Sequence, residues 1–302
     1  MRAGIHHDKR LIFVDNTALQ EFRTCPAKFQ WRINRGLYEA RLEMSGNEPP
    51  PVSAPLLFGG AMHTALDELY GAQSPKGAGQ AFLDAFQPPP DDPKRTAIRG
   101  IEMLTEYWDT WGHVIDGYSG IVCETSFRAP MGQVIHPATG EPWDVVYSGL
   151  IDKIVTDPEG NTFCIDHKTS TMQTAALSRS YNMSNQFQGY MYGARHAPGL
   201  GFEIDHLVVD LLLLFPRNNK FERHTLSYDE ERQADWKKDI FSTVRQILLA
   251  DHDQQWARYG QQSCVTFHQL CQFYRLCNSP AWNVESEIES FYGENFWEAE
   301  RT

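Results

Sequence analysis

Gly149-Leu150-Ile151-Asp152 and, beyond a polar turn, Cys164-Ile165-Asp166-His167-Lys168-Thr169-Ser170 are the stretch on which the fold turns. Both pieces read as strands, joined through Asp157-Pro158-Glu159-Gly160. Asp166 and Lys168 lie two apart, so on an extended strand they share a face while His167 points the other way. Asp152 adds a carboxylate on the neighbouring strand. Two carboxylates and an ammonium side by side suit a divalent cation and a water, which is what phosphodiester hydrolysis needs. A lone Asp-x-Lys is usually an exposed strand pair, so the flanking sequence must supply the rest.

Upstream, residues 121–128 and 143–154 read as strands around a turn at Pro137-Ala138-Thr139-Gly140. With 162–168 they predict an antiparallel meander. A helix is expected over 96–112, with Ile101, Leu104 and Trp108 on one face. Phe58-Gly59-Gly60-Ala61-Met62-His63 opens another, to about residue 70, its small residues allowing close packing. Residues 71–95, rich in Gly, Pro and Asp, read as a loop. Nearer the start, Asp15-Asn16-Thr17 is a helix cap before Ala18, Leu19 and Phe22, and Pro26 begins a second short helix. Residues 44–57, with Pro49-Pro50-Pro51, read as an irregular connection. Downstream come a helix over 183–196, a strand over 206–215, another over 220–226 and a long helix over 229–256.

Composition sets limits. The chain has 302 residues, 41% of them hydrophobic and 22% charged, as in soluble globular proteins. Residues 1–10 are polar and do not look like a signal peptide. The most apolar run, 207–215, is interrupted by Asp210 and falls far short of the ~20 residues needed to span a bilayer, so it reads as a buried strand. These features predict a cytoplasmic protein without membrane contact. The net charge of −12 argues against a surface that binds nucleic acid everywhere. It leaves room for a local basic groove from Arg32 and Arg35 or from Arg217, Lys220 and Arg223, and solvated surface charge explains each cluster equally well.

Four motifs then fall in order: Gly59-x-x-x-His63, Gly149-x-x-Asp152, Ile165-Asp166-His167-Lys168-Thr169 and Gln186-x-x-x-Tyr190. Over residues 58–196 this arrangement resembles the RecB branch of the PD-(D/E)XK nucleases. The resemblance implies an α/β fold with a restriction-endonuclease-like core, a central mixed β-sheet flanked by helices. It implies that Asp152, Asp166, His63 and the backbone carbonyl of His167 bind Mg²⁺ or Mn²⁺, the imidazole tilting the preference toward Mn²⁺. Lys168 would orient or deprotonate the attacking water and offset charge on the phosphorane. Gln186 and Tyr190, four apart on one helix face, would contact substrate or the lysine. Taken singly, His63 reads as a cap or core residue and Tyr190, with Tyr192, as packing. Glu124 is a further acid that reads either as approaching the site or as a surface residue.

Six cysteines are present. Cys123 and Cys164 sit in apolar runs and read as small buried side chains. Cys264-x6-Cys271-x5-Cys277 has ligand-like spacing but supplies three ligands where a tetrahedral metal or an iron–sulfur cluster takes four. Cys25 is the candidate fourth. Its setting, Thr24-Cys25-Pro26-Ala27-Lys28-Phe29, resembles the Cys-Pro segment before the core in iron–sulfur members of the family, the AddB-type domains and the CRISPR-associated exonucleases. That resemblance implies a [4Fe–4S] cluster joining the N- and C-terminal segments, although the gap of six before Cys271 is wider than usual. Zinc, with His268 as a possible ligand, and no metal at all are the alternatives.

The expected organisation is an N-terminal helical segment (1–57), a nuclease core (58–257) and a C-terminal cysteine segment (258–302), packed as one unit. The expected function is a DNA exonuclease acting on single strands or ends in recombination, repair or phage DNA metabolism. A structure-specific endonuclease and a non-cleaving DNA-binding module are the rivals. Phe29, Trp31 and Tyr38, interleaved with Arg32 and Arg35, could stack bases, although core packing is the plainer use. No Gly-x-x-x-x-Gly-Lys-Ser/Thr loop occurs, so a helicase or recombination partner would supply any unwinding.

Overall fold

The computed structural model describes residues 2–39, 53–87, 92–172, 175–266 and 269–296. The proline run at 49–51, His268 and Trp297 lie outside them.

A hairpin opens the chain: β1 (Gly4–His6) runs antiparallel to β2 (Leu11–Val14). The polar composition of residues 1–10 masks it, since only its second strand is apolar. Asp15 caps α1 (Asn16–Thr24), its carboxylate accepting from Ala18 N at 2.6 Å. Pro26 starts α2 (Pro26–Phe29), which continues into a π-helical turn over Gln30–Asn34 and then β3 (Leu37–Glu39). Three helices follow: α3 (Ala54–Ala72), α4 (Pro75–Ala85) and α5 (Ala97–Ile115). The long strands β4 (Ser119–Ile135), β5 (Pro142–Thr156) and β6 (Thr162–Ser170) come next, then α6 (Ala175–Ser180) and α7 (Asn185–His196). β7 (Leu207–Leu214), β8 (Asn219–Leu226) and α8 (Glu230–His252) follow. The tail holds α9 (Gln261–Cys264), β9 (Val265–Thr266), β10 (Gln269–Leu270), α10 (Tyr274–Asn278), α11 (Val284–Phe291) and β11 (Tyr292–Glu294).

Helix α4 corrects the loop expected over 71–95. Glycines at 77 and 79 disguise it, but Ser74 caps it by accepting from Gly77 N at 3.1 Å, and Pro75 occupies its first turn. Ala78 and Phe82, four apart, are fully buried and anchor it. Helix α6 precedes the helix expected over 183–196.

The chain divides into two compact units. The first comprises residues 1–51, 128–149 and 230–302, and the second residues 52–127 and 150–229. In the first, β2 runs parallel to the opening half of β5, with Leu11 beside Asp144 and Val14 beside Tyr147. There too β11 pairs antiparallel with β3, so backbone hydrogen bonds already tie the two ends of the chain. Trp31, Leu37, Phe273, Leu276, Ile288 and Tyr292 pack beside this pair.

The second unit carries a mixed sheet. The closing half of β5 runs antiparallel to β6, β6 parallel to β7, and β7 antiparallel to β8. Every residue of β7 is buried, as suits a near-continuous apolar strand covered on both faces. Helix α3 packs on β6 with Phe58, Met62, Leu66 and Leu69 in the core. A Cβ on Gly59 would stand 3.3 Å from Thr169 Oγ1, so the helix start does approach β6 closely.

Candidate active site

The expected hydrolytic residues all lie in the second unit: His63 on α3, Asp152 on β5, Asp166, His167 and Lys168 on β6, and Gln186 and Tyr190 on α7. Strand alternation works as expected. Lys168 Nζ stands 3.0 and 2.8 Å from the two carboxylate oxygens of Asp166, while His167 turns to the opposite face and is fully buried. Asp166 is fully buried and Lys168 about one-third exposed, so the lysine faces solvent and its partner does not. Burial pushes the Asp166 carboxyl up to about 6, against the pull of Lys168. Burial draws the Lys168 ammonium down, but Asp166 and Asp152 outweigh it and hold the group above the ordinary lysine range.

The backbone of His167 is the pivot. Its N–H donates to Asp152 Oδ2 at 2.9 Å, and its carbonyl accepts from His63 Nε2 at 2.9 Å. His63 Nδ1 stands 3.3 Å from the same Asp152 oxygen. One imidazole therefore meets an acceptor at each nitrogen, and a ring carrying a single proton satisfies only one of them. Asp166 Oδ2, buried beside the ammonium, has no well-directed hydrogen bond. An acceptor-rich set of carboxylates, one carbonyl and one imidazole asks for positive charge and fits a hard or borderline divalent cation. Among the described residues no three His, Cys, Asp or Glu side chains converge as metal ligands. The reason is visible in the pairings: Lys168 holds Asp166, His63 leans on Asp152, and the remaining acceptor is a backbone carbonyl.

On α7, whose N-cap is Ser184, Gln186 Nε2 donates to Tyr190 Oη at 2.7 Å. Lys168 Nζ stands 5.7 Å from the centre of the Phe187 ring, which meets Tyr181 edge-on. Glu124 lies exposed on β4.

Several charged residues behind this set escaped the sequence reading. Asp67, one helical turn beyond His63, takes the ammonium of Lys153 at 2.5 Å, and Lys153 is fully buried. Asp210 is fully buried and receives Arg223 Nε at 2.9 Å. Arg223 thus points inward, which removes it from the basic groove expected with Arg217 and Lys220. Arg32 and Arg35 are also engaged, with Glu21 and Glu285 respectively. Phe29 and Trp31 are buried, so the plainer expectation of core packing holds for them.

The four candidate cluster cysteines all lie in the first unit. Cys25 precedes α2, Cys264 ends α9, Cys271 follows β10 and Cys277 lies in α10. Cys271 N donates to the Cys264 carbonyl at 2.7 Å, closing the β9–β10 hairpin between them. All four are free thiols. They line one cavity of about 590 Å³, with Lys28, Arg258 and Phe273 also on its wall. Burial pushes the Cys271 and Cys277 thiols up, and each feels Cys25 nearby. Four thiols without disulfides on one wall, with two cations beside them, are the donor type of a four-cysteine centre, although among the described residues they do not converge as metal ligands any more than the hydrolytic set does. Cys164 is buried as expected, and Cys123 is half-buried.

No helix among the described residues is long and apolar enough to cross a membrane. No curated protein matches the chain. Among solved structures, SSO0001 is 12% identical with a TM-score of 0.28, over 62% of this chain and 72% of that one. A "Putative exonuclease" from Eubacterium rectale is 12% identical with a TM-score of 0.43, over 82% of this chain and 84% of that one. The family model of the PD-(D/E)XK nuclease superfamily matches residues 16–278, well over half the sequence, and the chain belongs to that superfamily.

Proposed function

We propose that this nuclease is a divalent-metal-dependent DNA exonuclease of the iron–sulfur RecB branch, acting on single strands or DNA ends. The observation that carries the reading is the gathering of Asp152, Asp166, Lys168 and His63 around the backbone of His167. Mg²⁺ or Mn²⁺ held by His63, Asp152, Asp166 and the His167 carbonyl would polarise the scissile phosphate and acidify a water. Lys168, kept charged by its two carboxylate neighbours, orients that water and offsets charge growing on the phosphate oxygens. The water oxygen would bond to phosphorus as the P–O bond to the leaving sugar oxygen breaks, the water's proton passing to solvent and the leaving oxygen taking one up from solvent. Gln186 donates to Tyr190, and the pair would contact the substrate or the lysine.

We further propose that Cys25, Cys264, Cys271 and Cys277 hold a [4Fe–4S] cluster that reinforces the join between the chain ends. The protein would work in the cytoplasm, in recombination, repair or phage DNA metabolism, with a helicase or recombination protein opening duplex DNA.

One assay tests the hydrolytic reading: end-labelled single- and double-stranded DNA, linear and circular, with Mn²⁺ or Mg²⁺, against Lys168→Ala. Metal- and Lys168-dependent shortening of linear DNA with circles left intact is expected. Cleavage of circles would replace the exonuclease by an endonuclease, and no Lys168-dependent cleavage would leave a binding module. The cluster predicts brown protein whose colour and much of whose soluble yield are lost in Cys271→Ala. Colourless wild type prepared without oxygen would remove the cluster.

A further inference from the structure

We propose that Asp210 and Arg223 are positioning residues for the hydrolytic site, acting through His167; the proposal rests on the hydrolytic reading above.

Strand β7 is a run of Leu and Val with one fully buried carboxylate, Asp210. Burying a carboxylate and a guanidinium costs several kcal/mol per ion before pairing, and well-packed apolar residues usually serve stability as well or better. Stability is therefore a weak account of this pair, and its place in the fold offers a better one. In the parallel register of β6 and β7, Asp210 lies directly beside His167. Its Oδ2 stands 3.9 Å from His167 Nε2. That oxygen is fixed from the other side by Tyr107 Oη at 2.7 Å and Arg223 Nε at 2.9 Å. Arg223 also donates to the hydroxyls of Tyr70 at 3.0 Å, Tyr107 at 3.2 Å and Tyr118 at 3.2 Å, and those of Tyr70 and Tyr107 are 2.8 Å apart. The Tyr70 ring meets the His167 ring edge-on at 5.5 Å. Neither ring nitrogen of His167 makes a hydrogen bond among the described residues, so the ring is held by shape rather than by its own polar contacts.

Two consequences bear on the site. The backbone N–H and C=O of His167 hold Asp152 and His63, so wherever the network seats this residue it seats both of them. Tyr70 also stands on the same stripe of α3 as His63 and Asp67, at offsets of seven and three. The network therefore spans α3, α5, β6, β7 and β8, and it sets how far the His63 ring stands from the His167 carbonyl. Partners behind metal ligands typically contribute about 10–100-fold in affinity.

The test is Mn²⁺ binding to the full chain without DNA, by calorimetry and by the electron paramagnetic resonance signal of bound Mn²⁺. Wild type is compared with Asp152→Ala, Asp210→Asn and Tyr107→Phe, with melting followed in parallel. Asp210→Asn is expected to weaken Mn²⁺ binding about 10–100-fold. At saturating Mn²⁺ its kcat falls while KM for DNA stays near wild type, because no residue assigned to substrate is altered. Tyr107→Phe removes a single hydroxyl and shifts affinity in the same direction by less. It decides the matter if Asp210→Asn does not fold. Wild-type affinity in every folded variant, whatever happens to melting, would overturn the proposal. Should wild type bind Mn²⁺ no more tightly than Asp152→Ala, the hydrolytic reading itself falls, a result distinct from the previous one.

Discussion

The two donor-rich sites of this chain are built on opposite plans. In the second unit nearly every hydrolytic group is engaged: Asp166 with Lys168, Asp152 with the His167 N–H, and His63 with the His167 carbonyl. In the first, four thiols surround about 590 Å³ of space and have little else to hold them. Cys25 Sγ, for instance, donates to the Ala257 carbonyl at a long 3.7 Å. A site whose groups satisfy one another keeps its geometry without a metal. A cradle of thiols, only Cys25 among them buried, would rely on what it binds. Chelators should therefore separate the two: EDTA leaves the hydrolytic unit folded and silent, whereas loss of a cysteine-bound centre lowers stability.

Substitution sharpens the contrast, and the largest effect belongs to Lys168. Lys168→Ala is expected to reduce metal-dependent cleavage about 10²–10⁴-fold, the range of a positioned proton-transfer or charge-stabilising group. Melting should fall only modestly, since the fully buried Asp166 carboxyl, already pushed up by burial, can take up a proton once its ammonium is gone. A large fall in melting temperature would mean that Lys168 supports the fold. For Cys271→Ala the pattern reverses. A cross-link closing a loop this long would be worth about 5 kcal/mol in the loop-closure model. Denaturation should show a loss of that order, softened by the β3–β11 pairing that joins the same chain ends. Unchanged melting would show that pairing alone suffices.

Asp67→Ala probes the back of the hydrolytic site. It strands the fully buried ammonium of Lys153, and breaking a buried pair from one side costs about 3–5 kcal/mol. Because Asp67 keeps some exposure, the lower end of that range is expected, read by urea unfolding. Asp67→Ala with Lys153→Met should recover much of the loss, and failure to recover would assign Asp67 a role beyond pairing.

How far these sites are legible in the sequence follows from how local their geometry is. Asp166 and Lys168 share a face because strands alternate, and Gln186 reaches Tyr190 because helices repeat every 3.6 residues; both rules act within a few residues. Asp210 and Arg223 carry no such mark. Their meaning comes from the parallel register of β6 with β7 and the antiparallel register of β7 with β8, which only the folded chain sets. Lys153 stands beside Asp152 in the sequence yet looks like any surface lysine until α3 covers it. Helix α4 shows the same limit from the other side: its cap at Ser74 was readable, but two glycines outweighed it. The four cysteines were legible as a set through the resemblance around Cys25, since 238 positions separate Cys25 from the next of them, Cys264.

The smallest effect expected is one of pH, and it falls on the cysteine side. Burial raises the Cys271 and Cys277 thiols above an ordinary thiol, and nearby Lys28 and Arg258, respectively, only partly offset it. A raised acid binds its proton more tightly in the folded state. The stability these thiols contribute to metal-free protein is therefore present below the ordinary thiol range, near 8.5, and is lost as pH climbs through the raised values. Metal-free protein should melt at a lower temperature at pH 9.5 than at pH 7.5. Alkylation of these two cysteines, which needs the thiolate, should be slower at pH 7 than in an unfolded control. Cys271→Ser with Cys277→Ser removes both thiols and should flatten the difference. If the double variant keeps the wild-type pH dependence, the alkaline loss comes from elsewhere in the chain and the thiols are not its source.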